Sequence, residues 1–523
     1  MSINTIRGLL EAAAAESPEH IALIANDKQF TYRELLLRVN QVANYFSQLG
    51  LPEGSRIGIY SAKDSQQVIA LLALLSTSFV IVPITRFLKP EQVQYIIDDC
   101  DIQCIITDKT KLETMEQIQF EGKVVTYEPL HDTLVNFHEI HKCFGSSYSC
   151  QIHGHHSAVI TYSFGSDGSQ KGIIISHRNL IDGARIVSDY LELRQDDVVS
   201  GMLSFNLDYG LNQIFCALYK QATLALHKFI LPSEFFAHLI RDQVTVLALM
   251  PVHIAKMFDE DPHKLPISKQ LDHVRVITSS GGNITEAMIH KVDDYFKPAR
   301  FYSMHGLTEA FRSTYLDPAQ IHIRPTSIGK AIPDVEIYII DKEGNACDTG
   351  EVGELIHRGA CIYKGYWNSS EETEKRFKNI SILEKVINLD NQHSSEIVVS
   401  SGDYVYRDEE GYIYFVDRGD DMIKTDGYRV SPKEVKRALL QNFPTVTQCA
   451  VFGIPDVELE ERIVLCYSAA EKIPQNELIF ELKKHLAVYM IPAEIVYRER
   501  LPLKASHHEE VDIGVLKQGI AGA

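Results

Sequence analysis

The chain has 523 residues, of which 45% are hydrophobic and 23% charged, and its 70 acidic against 51 basic side chains give a formal net charge of −19. That length exceeds what one simple core holds, so two or more domains are expected, and the composition is that of a folded chain and not a disordered one. The acidic balance argues against a surface that tracks a nucleic-acid backbone, which needs clustered Lys and Arg, so any anionic ligand has to be gripped locally.

The opening MSINTIRGLLEAAAAESPEH lacks the basic segment, apolar core and cleavage site of a secretory signal. Nine cysteines are scattered, and the tightest pair, Cys100 and Cys104, has no second pair at zinc-like spacing. A reduced, cytoplasmic chain is expected. FTYRELLLRVNQVANYF carries a capping box, Thr31 with Glu34, followed by apolar residues at helical spacing. The longest apolar run, Val68 to Ile84, is 17 residues with three hydroxyls. It reads as a buried helix leading into a strand, too short and interrupted for a membrane span. RIGIY, AVITY, GIIIS and VRVITS read as buried strands, and their alternation with amphipathic helices predicts an α/β architecture with largely parallel sheets. No internal repeat or low-complexity tract is visible.

A boundary is expected near Asp417. GYIYFVDRG ends a strand in a charged turn, and MIKTDGYRVSPKEVKRALLQNF restarts the pattern, with Ser431 capping a helix, Pro432 in its first position and Glu434 closing the box. The expected division is a large domain over 1–417 and a small one over 418–523.

Between the apolar VITY and GIII lies SFGSDGSQKG, Ser163 to Gly172. A glycine-rich loop between strands exposes backbone N–H groups and makes a nest for anions. The Walker spacing fails, because only Ser169 and Gln170 separate Gly168 from Lys171 and Gly172 follows the lysine. The dinucleotide fingerprint also fails on the spacing of Gly165, Gly168 and Gly172. Taken alone, a phosphate nest and an ordinary hairpin loop stand level.

Other segments separate those readings. YSFGSDGSQKG is similar to a loop of pattern Tyr-Thr-Ser-Gly-Thr-Thr-Gly-x-Pro-Lys-Gly, SSGGNI (Ser279 to Ile284) to an adenine-contacting strand end, and MHGLTE (Met304 to Glu309) to a Tyr-Gly-x-Thr-Glu motif. GELIHRG, KGYWNSSEETEKRF, the SGD at Ser401 to Asp403, and DRGDDMIKTDGYRVSPKEV from Asp417 follow in order. Together they cover essentially the whole chain, which resembles the adenylate-forming (AMP-binding) superfamily of acyl-CoA synthetases, luciferases and peptide-synthetase adenylation domains.

The resemblance implies a large domain of packed mixed sheets flanked by helices, a β-barrel-like subdomain, and a small mobile α+β lid. It implies a ligase that uses ATP and Mg²⁺ to form an acyl-adenylate and then passes the acyl group to a thiol. Ser163, Gly165, Ser166, Gly168 and Lys171 would hold the phosphates. Gly281 and Gly282 would lie against adenine, with His305 replacing the ring that covers it and Gly306 beside it. Thr308 would touch the α-phosphate, Glu309 would hold Mg²⁺, Asp403 would accept from the ribose hydroxyls, and Arg418 would reach ribose or phosphate, its bland alternative being a surface ion pair. Asp420 falls on the hinge, while Lys424 and Gly427 fall on the loop that faces the site during thiol transfer.

Three departures stand out. Asp167 and Gln170 replace a Thr and the Pro of the loop, and a carboxylate beside polyphosphate is repulsive without a cation to offset it. Near the C-terminus the resemblance implies a Lys that bridges carboxylate and α-phosphate, but in LPLKASHHEEVD, Leu501 to Asp512, Glu510 takes its place. Losing one preorganised donor of this kind costs about 3 to 4 kcal/mol. Lys504 is a possible substitute, and His507, His508, Glu509 and Glu510 read as a solvated tail more readily than as a metal site.

For the acid, SFNLDYGLNQIF (Ser204 to Phe215) is similar to the segment of amino-acid-activating members in which an Asp pairs with the substrate ammonium; Asp208, beside Tyr209, falls there. The alternative is an Asp at a helix start. An amino acid is expected slightly ahead of another small carboxylic acid. No carrier-like segment follows VLKQGIAGA, so the acceptor is expected to be CoA or the phosphopantetheine of a separate carrier protein. The competing function is a catalytically decayed nucleotide-binding homologue with a scaffolding or regulatory role.

Overall fold

The computed structural model describes residues 3–131, 134–143, 145, 147–164, 170–258, 265, 268–282, 284–388, 395–418, 422–504 and 507–521. Two compact units emerge: one comprises Met1–Arg86, Ile96–Tyr162 and Gly172–Arg418, the other Phe87–Tyr95, Ser163–Lys171 and Gly419–Ala523.

In the first unit, strands Ile21–Ala25, Thr223–Leu226, Val198–Ser200, Val246–Leu249, Val276–Ser279 and Arg300–His305 lie side by side and parallel. The same sheet continues through antiparallel strands Thr314–Leu316, Ser327–Ala331, Ile413–Arg418, Ile397–Arg407, Gly353–Gly359 and Val335–Ile340. Helices cover the parallel part, as strands buried on both faces require. A seven-stranded sheet places Arg56–Tyr60 between parallel neighbours Val80–Pro83 and Ile102–Thr107 and ends on strands Ser157–Phe164 and Gln170–Ser176. The mixed α/β architecture is the one expected.

Local rules account for the elements. The helix Tyr32–Ser47 starts at the capping box: Glu34 N–H donates to Thr31 Oγ1 at 3.2 Å and Thr31 N–H to Glu34 Oε2 at 2.9 Å. The long apolar run divides into a helix, Ser65–Leu74, capped by Asp64, and the strand Val80–Pro83. From Val68 on, both are buried on every side, which is why the run shows no polar face. Among the described residues no helix is long and apolar enough to cross a membrane.

The second unit is built on a five-stranded sheet in which Glu460–Ala469 pairs antiparallel with Val446–Asp456 and parallel with Glu494–Tyr497. Phe452, Ile454, Val464, Leu501 and Leu516 form its core. The helix Pro432–Asn442 does start at Ser431 with Pro432 in its first position, but Ser431 makes no side-chain cap bond. The expected box is not made, because Glu434 is buried and its Oε1 accepts from Gln92 Nε2 at 3.0 Å.

Candidate functional site

Ligands of open α/β sheets gather beyond the carboxyl ends of the parallel strands. Here the neighbouring strands Val276–Ser279 and Arg300–His305, in register at Ser279 and Ser303, release SSGG and HGLTE at that edge. Gly281 has φ +88°, in the left-handed region that favours glycine. Gly306 has a different reason: a Cβ there would lie 2.5 Å from the Phe311 carbonyl oxygen, where the loop folds back and Leu307 N–H donates to Ala310 O at 2.9 Å.

The loop brings distant segments together. His305 Nε2 lies 3.1 Å from Asp403 Oδ2, although 98 positions separate them, and the Asp403 side chain is only 1% exposed. Asp403 N–H donates to Ser401 Oγ at 3.0 Å, which fixes the SGD segment, and the strand pair sets Asp403 opposite Arg418. Glu309 is buried, its Oε1 accepts from the Tyr366 hydroxyl, and its carbonyl accepts from Tyr363 N–H at 3.0 Å. Thr308 beside it is half-buried. A single carboxylate of this kind suits Mg²⁺, which is held by one or two carboxylates together with substrate phosphates.

Asp208 opens the helix Asp208–Lys220 in its first turn, after Leu207, which supplies no side-chain cap. Its Oδ1 accepts from Tyr209 N–H at 2.6 Å and its Oδ2 from the Tyr363 hydroxyl at 3.3 Å. Burial pushes the Asp208 carboxyl above the usual range, and the Arg312 guanidinium opposes that rise. Arg312 is 2% exposed; its Cζ lies 4.9 Å from the Tyr209 ring centre and 4.7 Å from that of Phe311. Its Nη1 donates to Ser280 Oγ at 2.7 Å, while Nε makes no hydrogen bond among the described residues. Tyr209 and Thr278 join hydroxyl to hydroxyl at 2.6 Å. A polar cluster therefore ties the Asp208 segment to SSGG and to the residues after Glu309.

Sequence reasoning missed Arg312, Tyr363 and Tyr366. Arg312 carries the one usable signal, a charge inside AFRSTYL on the way into a strand. The tyrosines carry none, since their partners lie 155 and 57 positions away.

The remaining expectations divide by place. Gly165, Ser166, Asp167 and Gly168 lie outside the described residues, as does Asp420. Ser163 and Lys171 are half-buried and belong to the second unit, whereas Gly282 is half-buried in the first. In the second unit, Lys424 Nζ lies 3.6 Å from Glu460 Oε1, and Lys424 N–H donates to Glu461 Oε2 at 2.8 Å. The next two residues but one form a tight hairpin turn: Asp426 and Gly427 have φ of 50° and 76°, and Thr425 pairs with Tyr428. Over 503–504 and 507–510 only the backbone is described; Leu503–Lys504 pairs antiparallel with His507–Val511, the strand that carries Glu510.

The profile of AMP-binding enzymes matches residues 10–367, and that of the AMP-binding enzyme C-terminal domain matches residues 438–508. Gramicidin S synthase 1 of Brevibacillus brevis is 24% identical over 510 residues, which are 96% of this chain and 43% of that protein. The chain thus spans less than half of this relative. Among solved structures, o-succinylbenzoate CoA synthetase of Bacillus subtilis superposes with a TM-score of 0.80 at 23% identity, covering 97% of both chains. The amide bond synthetase of Marinactinospora thermotolerans gives 0.85 at 18% identity, covering 98% of this chain and 99% of that one. These identities show a shared fold, and the profile that spans most of the chain decides the family: this protein is an AMP-binding enzyme of the adenylate-forming superfamily.

Proposed function

We propose that the protein is a carboxylate-activating ligase with two half-reactions. In the first, a substrate carboxylate oxygen attacks the α-phosphorus of ATP, and the bond to pyrophosphate breaks as the acyl-adenylate forms. In the second, a thiolate sulfur of CoA or of carrier-protein phosphopantetheine attacks the acyl carbon and AMP departs. The observation that carries this reading is the convergence of His305 on Asp403 and of Tyr366 on Glu309 at the carboxyl edge of the parallel sheet.

The work such a site does is positioning and neutralisation of charge. Asp403 would accept from ribose hydroxyls, and its contact with His305 supports a role for that imidazole in covering the base. Glu309, fixed by the Tyr366 hydroxyl, presents the carboxylate that would hold Mg²⁺; the ion would supply neutralisation of phosphate charge. Lys171 supplies a cation to the phosphates, and the Asp-Gly turn at Gly427 leaves backbone free of a side chain where a pantetheine arm approaches.

The substrate is a small acid. Asp208 favours a cationic substituent, as on an amino acid, but the adjacent Arg312 already offsets part of its charge. That neighbour moves the balance toward a small carboxylic acid whose substituent hydrogen-bonds without a full ammonium charge. Incubation with ATP, Mg²⁺, CoA or carrier protein, and paired acids with and without an α-amino group tests the reading: AMP, not ADP, is expected, together with a thioester detected by mass. ATP bound but never cleaved, with any acid, would support the decayed homologue instead.

A further inference from the structure

Away from the nucleotide site, the helix Glu286–Tyr295 carries His290 and Asp293 one turn apart, so both fall on one face. The segment after the short helix Pro318–Gln320 brings His322 against them. His322 Nε2 lies 2.9 Å from Asp293 Oδ2, and the His290 and His322 rings stack at 5.8 Å between centres with planes 27° apart. One ligand atom from each residue can be chosen so that all lie within 4.8 Å of one another. Ligands on one tetrahedral zinc ion, bonded at about 2.0–2.1 Å, sit about 3.4 Å apart. Small side-chain rotations therefore close the triad on an ion.

We infer that His290, Asp293 and His322 form a binding site for a borderline divalent transition-metal ion, of which Zn²⁺ is the type. Two imidazoles and one carboxylate suit zinc, cobalt or nickel, whereas Mg²⁺ prefers an all-oxygen shell. Glu286 Oε1 lies 3.9 Å from His290 Nε2 and is the nearest candidate for a fourth ligand. Asp294 adds negative charge close to Asp293. Asp293 and His322 also line a cavity of about 560 Å³, so an ion there stays in reach of solvent and of exchangeable ligands. The site would pin the helix that follows SSGG to the segment that follows the strand Thr314–Leu316, two paths that start beside the candidate active site.

The test is a titration of the untagged, chelator-stripped full-length chain with Zn²⁺ by calorimetry, in excess Mg²⁺, beside His290→Ala, His322→Ala and Asp293→Asn. Any zinc bound by other histidines is common to the parent and the variants, so the readout is the difference. Each variant should lose one equivalent, or bind that equivalent at least about tenfold more weakly. The Zn²⁺-dependent rise in Tm should shrink with it. Cobalt gives a second readout through its visible ligand-field bands, which should change in the histidine variants. Unchanged stoichiometry, affinity and cobalt spectrum in all three variants, with folding intact by circular dichroism, would overturn the assignment.

Discussion

At the residue scale, the proposed nucleotide site rests on two buried carboxylates, and each has a partner from a remote segment: Tyr366 for Glu309, and His305 for Asp403. Glu309→Gln should lower acid-dependent AMP formation by about a hundredfold to a thousandfold, the loss typical of one charge-stabilising group. Tyr366→Phe should cost about tenfold, as for a hydrogen bond to a charged group. A Tyr366→Phe enzyme as fast as the parent would show that the hydroxyl does not orient Glu309. The polar cluster around Asp208 gives a second residue-scale prediction. Arg312→Met removes the cation beside Asp208, so the rate with amino acids relative to their deaminated counterparts should rise by about tenfold, a step of about 1.4 kcal/mol. An unchanged ratio would mean that Asp208 does not face the substituent. His305, Glu309 and Asp403 stand out in the sequence as candidates because each sits in a short motif. Arg312, Tyr363 and Tyr366 were not, because their roles exist only once the sheet has aligned their strands.

At the element scale, legibility followed how local the controlling interactions are. The Thr31–Glu34 box and the helix-to-strand reading of the apolar run are settled within a few residues, and the structure agrees. The Ser431–Glu434 box failed although its sequence pattern is equally good, since Gln92, 342 positions away, draws Glu434 inward. That burial has a pH signature. Desolvation raises the Glu434 carboxyl from 4.5 to about 7, and the Gln92 hydrogen bond only partly offsets it. Between those values the folded chain keeps a proton that the unfolded chain gives up. Stability from this group is therefore present at low pH, is lost as pH rises through the window, and is fully lost above about 7. Glu434→Gln keeps an acceptor for Gln92 and removes the titration. It should stabilise the protein above pH 7 by up to about 3 kcal/mol and have little effect near pH 5, as read from Tm across that range. A pH-independent difference would contradict the burial of a protonated Glu434.

At the scale of the whole molecule, the proposed pair of half-reactions calls for the chain's parts to act in sequence. Asp420 lies outside the described residues, and its hinge role is a proposal from its motif. If it holds, Asp420→Pro spares adenylate formation and slows thioester formation, whereas equal loss of both in single-turnover assays would refute it. Glu510 poses the sharper question, since it stands where the resemblance implies a lysine. Its strand His507–Val511 folds against Leu503–Lys504, a backbone arrangement that the sequence did not reveal. Glu510→Lys should raise adenylation strongly if the site lacks a needed cation, and leave it unchanged if another group already serves. The order of motifs made the architecture readable from the sequence alone. The acid could not be read that way, because the polar cluster around Asp208 is assembled from four separate segments.

The most direct test is isotope exchange between pyrophosphate and ATP, with Mg²⁺, across a panel of amino acids and small carboxylic acids. The proposed ligase activity predicts strong exchange that depends on one acid or a narrow group of acids, and that collapses in Glu309→Gln. No exchange with any acid, from protein that binds ATP, would contradict it and leave a nucleotide-binding fold without the first half-reaction.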